Sequence, residues 1–467
     1  MQPFRPLGVA LLAATAAACG APLPAPDAAA GPASAQATAS RSAPRPSVTR
    51  SSTPTPNARA ATGSGAVYAA PAGLDALLSE AERRSPELLA AEAQWAAAGQ
   101  RASIAEEWPD PKLRVTWWAQ ELQTRAGPAE ARIAASQRIP WPGKRAAAAD
   151  AADALGAAAG ERLQTLRLDL RRRITRAWNE RVRLAREREL LVAHRGLLQE
   201  VEGVARAVAE RDSAKPAGLM RVQVDLGRLG DRIAALDEAA TRTEAELAAM
   251  VGTAPAAELD WATAQFSTTV RTDVDTRDAA TLLEGHPHLR ALGRTAEAAD
   301  RAVTVATLSA RPDFELALDW TFVGDSGAPG VASGEDPVSL TFGVDLPLSG
   351  GADRARRLEA RALHRMRLAE LRTAQLVLVE RLDAARIARR DAARRAALYG
   401  DELLPQADEA FSIAVSAYQA RSAPFGEVVE TTRDLLDLRL AALRAEADRA
   451  QAGAELDFLL PSDNDPR

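Results

Sequence analysis

Residues 311–351 read RPDFELALDWTFVGDSGAPGVASGEDPVSLTFGVDLPLSGG, and the interpretation of the chain turns on them. Phe314, Leu316, Leu318, Trp320 and Phe322 alternate with a second set in which Glu315, Asp319 and Thr321 are polar. A loop rich in Gly, Ser, Asp and Pro spans Gly324 to Pro337. Alternation then resumes as Val338, Leu340, Phe342, Val344 and Leu346 against Ser339, Thr341, Gly343 and Asp345. Two runs of period two predict two strands, each apolar on one face and polar on the other. Sequence with helical periodicity flanks them on both sides. Two amphipathic strands do not form a stable sheet alone, so these need partners from elsewhere.

Working outward, the composition narrows the choice of partners. The chain has 467 residues, 47% hydrophobic but only 4% aromatic, and much of the apolar content is Ala. Alanine-rich sequence favours helices packed closely side by side. With 58 basic and 63 acidic residues the net charge is −5, which argues against a nucleic-acid partner. A single cysteine, Cys19, excludes a disulfide framework and a cysteine-built zinc site. Arg5 and the short apolar run Leu7 to Ala14 lead into Ala16-Ala17-Ala18-Cys19-Gly20, the pattern of a secretory signal peptide over 1–19. Small residues ending in Cys resemble a bacterial lipobox, which implies lipidation at Cys19, although Ala16 stands where Leu is usual. Gly20 rather than Asp after it resembles lipoproteins sorted to the outer membrane. No other stretch has the ~18 apolar residues of a membrane-spanning helix, so any membrane crossing would be made by strands.

Residues 20–70 are Ala, Pro, Ser, Thr and Gly with almost no large apolar side chain, the composition of a disordered tether. The remainder is a tandem duplication. Ser85-Pro86-Glu87-Leu88 matches His286-Pro287-His288-Leu289 at an offset of 201, and Pro111 matches Pro312 at the same offset. Ile139-Pro140 matches Leu346-Pro347 at 207, and Ser213-Ala214 matches Ser422-Ala423 at 209. A first repeat therefore covers 71–252 with a strand pair within 112–139. A linker covers 253–280, and a second repeat covers 281–460 with its pair within 313–346; a disordered tail, 461–467, ends the chain. In the first pair the strands are expected at Lys112 to Gln120 and about Glu130 to Ile139. Each repeat reads helix, strand, loop, strand, long helix, sharp break, long helix. Leu219, Val222, Leu226, Leu229, Ile233 and Leu236 alternate spacings of three and four, a coiled-coil seam. The breaks at Ser213–Pro216 and Ser422–Pro424 read as hairpin tips, with Ser to cap and Pro to open the returning helix.

Few residues carry chemistry. His286 and His288 form the one close histidine pair, but further ligands are missing nearby, so no metal site is expected. His194 falls in the apolar series Leu191, Leu198, Val201 and reads as a seam residue. Arg171, Arg172, Arg173 and Arg176 are interleaved with Asp169, Glu180 and Glu187, which points to charged faces between helices. No nucleophile–base pairing, phosphate loop or metal spacing stands out, so neither an enzyme nor a cofactor is expected. Just past the second tip, Glu427 and Glu430 lie three apart on one face of the returning helix, in a segment led by Tyr418.

Duplicated halves, strand pairs ending in Ile-Pro-Trp-Pro-Gly-Lys (139–144) and Leu-Pro-Leu-Ser-Gly-Gly (346–351), and the segment led by Tyr418 together resemble the TolC family. These are the outer-membrane channels of tripartite efflux pumps and type I secretion systems. The lipobox and Gly143-Lys144-Arg145 resemble the branch that works with RND-type pumps. The resemblance covers about residues 71–460. It implies a mainly α chain with a membrane β-barrel portion: long α-hairpins plus four strands per chain, trimerising into a 12-stranded barrel above an α-helical tube. It implies as partners two further copies, a periplasmic adaptor, an inner-membrane transporter and outer-membrane lipid. By position it implies a periplasmic gate formed by Tyr418, Glu427 and Glu430. Arg421 stands where the family motif has Gly, and Ala209 is the first repeat's counterpart of Tyr418. The rival reading is a periplasmic coiled-coil adaptor or structural lipoprotein, but an adaptor normally has one helical hairpin, and two hairpins with two strand pairs favour the channel.

Overall fold

A computed structural model describes residues 73–124, 127–209, 216–253, 261, 263–267, 279–324 and 334–461. The expected signal peptide, the tether and Cys19 lie outside them.

The two repeats appear in the expected order. The first comprises α1 (Leu74–Arg84), α2 (Pro86–Glu106), β1 (Lys112–Thr124), β2 (Gly127–Ile139), α3 (Lys144–Ala209) and α4 (Pro216–Val251). The second comprises α5 (Ala279–Leu283), α6 (Pro287–Leu308), β3 (Asp313–Val323), β4 (Val338–Asp345), α7 (Gly350–Ala397), α8 (Leu404–Gln419) and α9 (Phe425–Leu459). At 66 residues, α3 is roughly 100 Å long at 1.5 Å per residue. Proline opens both α2 and α6, where its missing N–H costs nothing.

The four strands form one antiparallel sheet in the order β1-β2-β3-β4. The first pair is longer than its alternation predicted, because β1 continues to Thr124 and β2 begins at Gly127. The register slips between Trp117 and Leu122. Such an irregularity changes which residues face each side, and so erases the period-two signal that marked the rest of the pair.

Each repeat builds its own helical core. In the first, Leu77 and Ala81 of α1, Leu88 of α2, Leu163, Leu170 and Ile174 of α3 and Leu247 and Val251 of α4 are buried together. In the second, Leu283, Leu289, Leu378, Leu382, Ala385, Leu456 and Leu460 fill the equivalent places. A third cluster joins the repeats: Leu191 and Leu198 of α3, Val222 and Ile233 of α4, and Val429, Leu436 and Leu440 of α9.

These cores also account for part of the drift between the repeats. Leu170 corresponds to Leu378, Ile174 to Leu382 and Ala177 to Ala385, all 208 apart. Leu247 corresponds to Leu456 and Val251 to Leu460, 209 apart. Between the two sets, residues Leu398–Leu403 form a π-helical turn that joins α7 to α8. A π turn holds one residue more than the α turn it replaces. Pro405 follows it and cannot donate to the ladder, so a widened turn there also relieves the clash that proline makes with the preceding turn. The second hairpin therefore carries one inserted residue without losing the phase of its apolar seam.

Candidate channel wall and hairpin mouth

The pairing register places the large apolar residues of the paired alternating runs on one side of the sheet. Val115 lies opposite Ile133, Ile133 opposite Trp320 and Trp320 opposite Val338. Leu113, Ala135, Leu318 and Leu340 form the next row. This face is uncovered: Trp117 is 76% exposed, Leu340 72% and Phe342 65%. The other face is polar. Arg132 donates to the Asp319 carboxylate at 2.6 Å and 3.0 Å, from Nη2 and Nε. Arg138 donates to Asp313 at 2.9 Å. In water an apolar face of this size demands a cover, whereas in a bilayer it is the solvated side.

Asp313 organises the junction where the sheet meets the helices. Its carboxylate accepts from the Trp141 backbone N–H at 2.9 Å, from Lys144 Nζ at 2.7 Å and from Arg138. Trp141 stacks on Phe314, and Phe314 on Phe342, each at 5.8 Å between ring centres. The run Ile139–Lys144 is thus a strand-to-helix turn whose freed backbone donor and whose lysine are both held by the first residue of β3. Asp313 and the Arg132–Asp319 pair were not singled out in the sequence. Their alternation was visible, but which acid meets which base depends on a register between strands 187 positions apart.

At the other end, the tip between α8 and α9 closes over Ala420–Pro424. Arg421 sits at φ 62, the left-handed region where glycine is favoured. Its departure from the family glycine therefore leaves the turn conformation in place, at some strain. Tyr418 packs on Phe425 at 5.3 Å, and burial pushes its phenol upward from the ordinary value. Pro424 precedes α9, and Val428 and Val429 are buried on its inner side. Glu427 and Glu430 fall on the opposite, exposed side, one turn apart. Neither makes an ion pair with a described residue, whereas Arg433, one turn on, reaches Asp225 of α4 at 2.5 Å. The first tip, at 210–215, is outside the described residues.

The remaining expectations resolve as structural roles. His286 is buried and caps α6: its Nδ1 accepts from the His288 N–H at 3.2 Å, and its Nε2 lies 3.2 Å from the Phe458 carbonyl. Among the described residues there is no group that could hold a metal ion. His194 is buried in the seam, and burial together with nearby Arg439 lowers its pKa to about 4. In the arginine cluster Arg172 pairs with Asp169 on its own helix at 2.6 Å and with Glu455 of α9 at 3.2 Å, and Arg173 pairs with Glu87 of α2 at 2.5 Å. No described helix is long and apolar enough to cross a membrane.

No protein-family model matches the chain, and no curated protein does. Solved structures match along most of its length. The outer-membrane channel OprN superposes with a TM-score of 0.72 at 19% identity, over 83% of this chain and 89% of its own. The outer membrane protein VceC of Vibrio cholerae does so at 0.70 and 20%, over 83% and 95%. The open state of the MtrE outer membrane channel of Neisseria gonorrhoeae gives 0.66 and 16%, over 85% and 93%. The chain therefore has the fold of the outer-membrane channels, the TolC-type architecture that its sequence resembles.

Proposed function

We propose that the chain is the outer-membrane component of a tripartite efflux pump, a passive duct that carries substrates from an inner-membrane transporter across the periplasm and outer membrane. The observation that carries this reading is the two-faced sheet. An uncovered apolar face backed by an ion-paired polar face is the wall of a barrel with lipid outside and water inside. Four strands are too few to close around a channel, and β1 and β4 remain as edges. Three copies would supply twelve strands. The helices that adjoin those edges support the same association: Leu89 and Ile104 on α2 and Leu363, Leu368 and Leu376 on α7 are large, apolar and exposed.

In this reading Cys19 carries the lipid anchor, and Glu427 and Glu430 line the periplasmic mouth with Tyr418 beside them. The mouth meets a periplasmic adaptor and, through it, an RND-type transporter. The test is mass in mild detergent together with conductance in planar bilayers. The expected result is about three chain masses and a conducting pore; a monodisperse, water-soluble monomer would overturn it.

A further inference from the structure

We propose that copies of this chain close the barrel through a charge clamp at each seam between β4 of one copy and β1 of the next. Asp345 would be received by Arg114 and Lys112 of the adjoining copy, in the register that sets Val344 opposite Val115. This rests on the channel reading above.

The chain contains a template for that seam. Where its two repeats meet, β2 of the first pairs with β3 of the second, Ile139 opposite Phe314 and Arg138 opposite Glu315. A ring built from alternating repeats needs a second seam of the same kind, β4 of the second repeat against β1 of the first. The matches Ile139-Pro140 to Leu346-Pro347 and Pro111 to Pro312 carry the template across. Leu346 then lies opposite Leu113, Asp345 opposite Arg114, Val344 opposite Val115 and Phe342 opposite Trp117.

Two properties not used in the transfer agree with it. The first is facing. Leu113, Val115, Trp117, Phe342, Val344 and Leu346 are all exposed in the single chain, and this register brings them onto one continuous apolar side. A slip by one residue would point every side chain of one strand the wrong way. The second is charge. At the internal seam one cation, Arg138, meets two anions: Glu315 opposite, and Asp313 on the diagonal at 2.9 Å. At the transferred seam one anion, Asp345, meets two cations, Arg114 opposite and Lys112 on the diagonal. Both signs are reversed together, so both seams are attractive. The side chain of Asp345 is 64% exposed and lies opposite Asp313; among the described residues its one cationic partner is Arg138, at 3.7 Å. Lys112 and Arg114 are exposed and pair with no acid among the described residues.

β2 and β3 are each paired on both sides within the chain, so only β1 and β4 are open to a neighbouring copy. Within the chain Asp345 lies opposite Asp313, with Arg138 beside both, so the cations of the adjoining β1 would offset an acid pair that the β3–β4 hairpin itself creates.

Cysteine cross-linking of the detergent-extracted full chain tests the register, since directly opposed Cα atoms on antiparallel strands lie within disulfide reach. Val344→Cys with Val115→Cys should give a covalent trimer on non-reducing gels. Val344→Cys with Leu113→Cys or with Trp117→Cys should not, nor should each single variant, which controls for Cys19. Separately, Asp345→Lys should lower the fraction of trimer that survives warming in SDS by roughly tenfold. Lys112→Asp with Arg114→Asp in the same chain should restore it. A trimer that cross-links through Leu113 or Trp117 instead, or that ignores the charge reversal, overturns the clamp and leaves the channel standing. A chain that is monomeric and cross-links nowhere overturns both.

Discussion

Acid should loosen the helical portion of this protein, and His286 allows the size of the effect to be worked out. The ring is 1% exposed, with its edge against Phe458 at 5.2 Å between ring centres. Because Nδ1 accepts from the His288 N–H, the proton sits on Nε2 and points at the Phe458 carbonyl. Protonation would remove the capping acceptor and place a cation at the N-terminus of α6, against the helix dipole. Burial is the main cause that lowers its pKa from 6.5 to about 4. The folded value lies below the unfolded one, so the neutral ring is the stabilised form. Its contribution is complete above pH 6.5 and is lost as pH falls through 6.5 towards 4. At 1.36 kcal/mol per unit the full loss is about 3 kcal/mol per chain, of which about 2 kcal/mol is gone by pH 5. In the first repeat Ser85 holds the matching N-terminal position of α2, so His286→Ser replaces a titrating residue there by a silent one. Guanidinium unfolding of the detergent-solubilised protein, followed by helical circular dichroism at pH 7.5 and pH 5, provides the assay. The wild type should lose about 2 kcal/mol more than the variant between the two pH values. His194 remains in both proteins and sets the common background. Equal losses in the two would refute the reasoning.

Other expectations are tied to the two ends of the chain. Glu427→Gln with Glu430→Gln should reduce cation-over-anion selectivity in planar bilayers and weaken block by multivalent cations, because three chains would bring six carboxylates to one mouth. Unchanged reversal potentials and unchanged block would leave both as ordinary surface acids. Cys19→Ser, or globomycin, should abolish labelling by radioactive palmitate; a wild type that never takes up label would remove the anchor and leave the channel reading intact.

The two hairpins are unequal in ways that bear on how the mouth would work. The first contains the unbroken α3, whereas the second is interrupted by the π turn at Leu398–Leu403 and carries Tyr418 where the first has Ala209. The second tip also closes through Arg421 in a conformation suited to glycine. Backbone strain and inserted residues of this kind tend to collect where a structure does its work, and here they fall on the hairpin that bears Glu427 and Glu430.

Much of this architecture was legible in the sequence because it is carried by local periodicity. Alternation at 314–322 and 338–346 specified β3 and β4 nearly to their ends, spacings of three and four specified α4, and the landmark prolines revealed the duplication. The position of Glu427 and Glu430 on one helix face followed from helix geometry alone, and the fold leaves that face exposed. What stayed hidden depends on contacts between distant parts of the chain. The extra length of β1 was masked by a register slip, and the π turn between α7 and α8 leaves no periodic mark of its own. That Asp313 would bind Trp141, Lys144 and Arg138, and that His286 would cap a helix against Phe458, could not be read from spacing. A side-chain period is fixed by the bond geometry of one strand or helix, and so it is written along the sequence. Which charge meets which is fixed by the register between elements, and only the folded chain sets that.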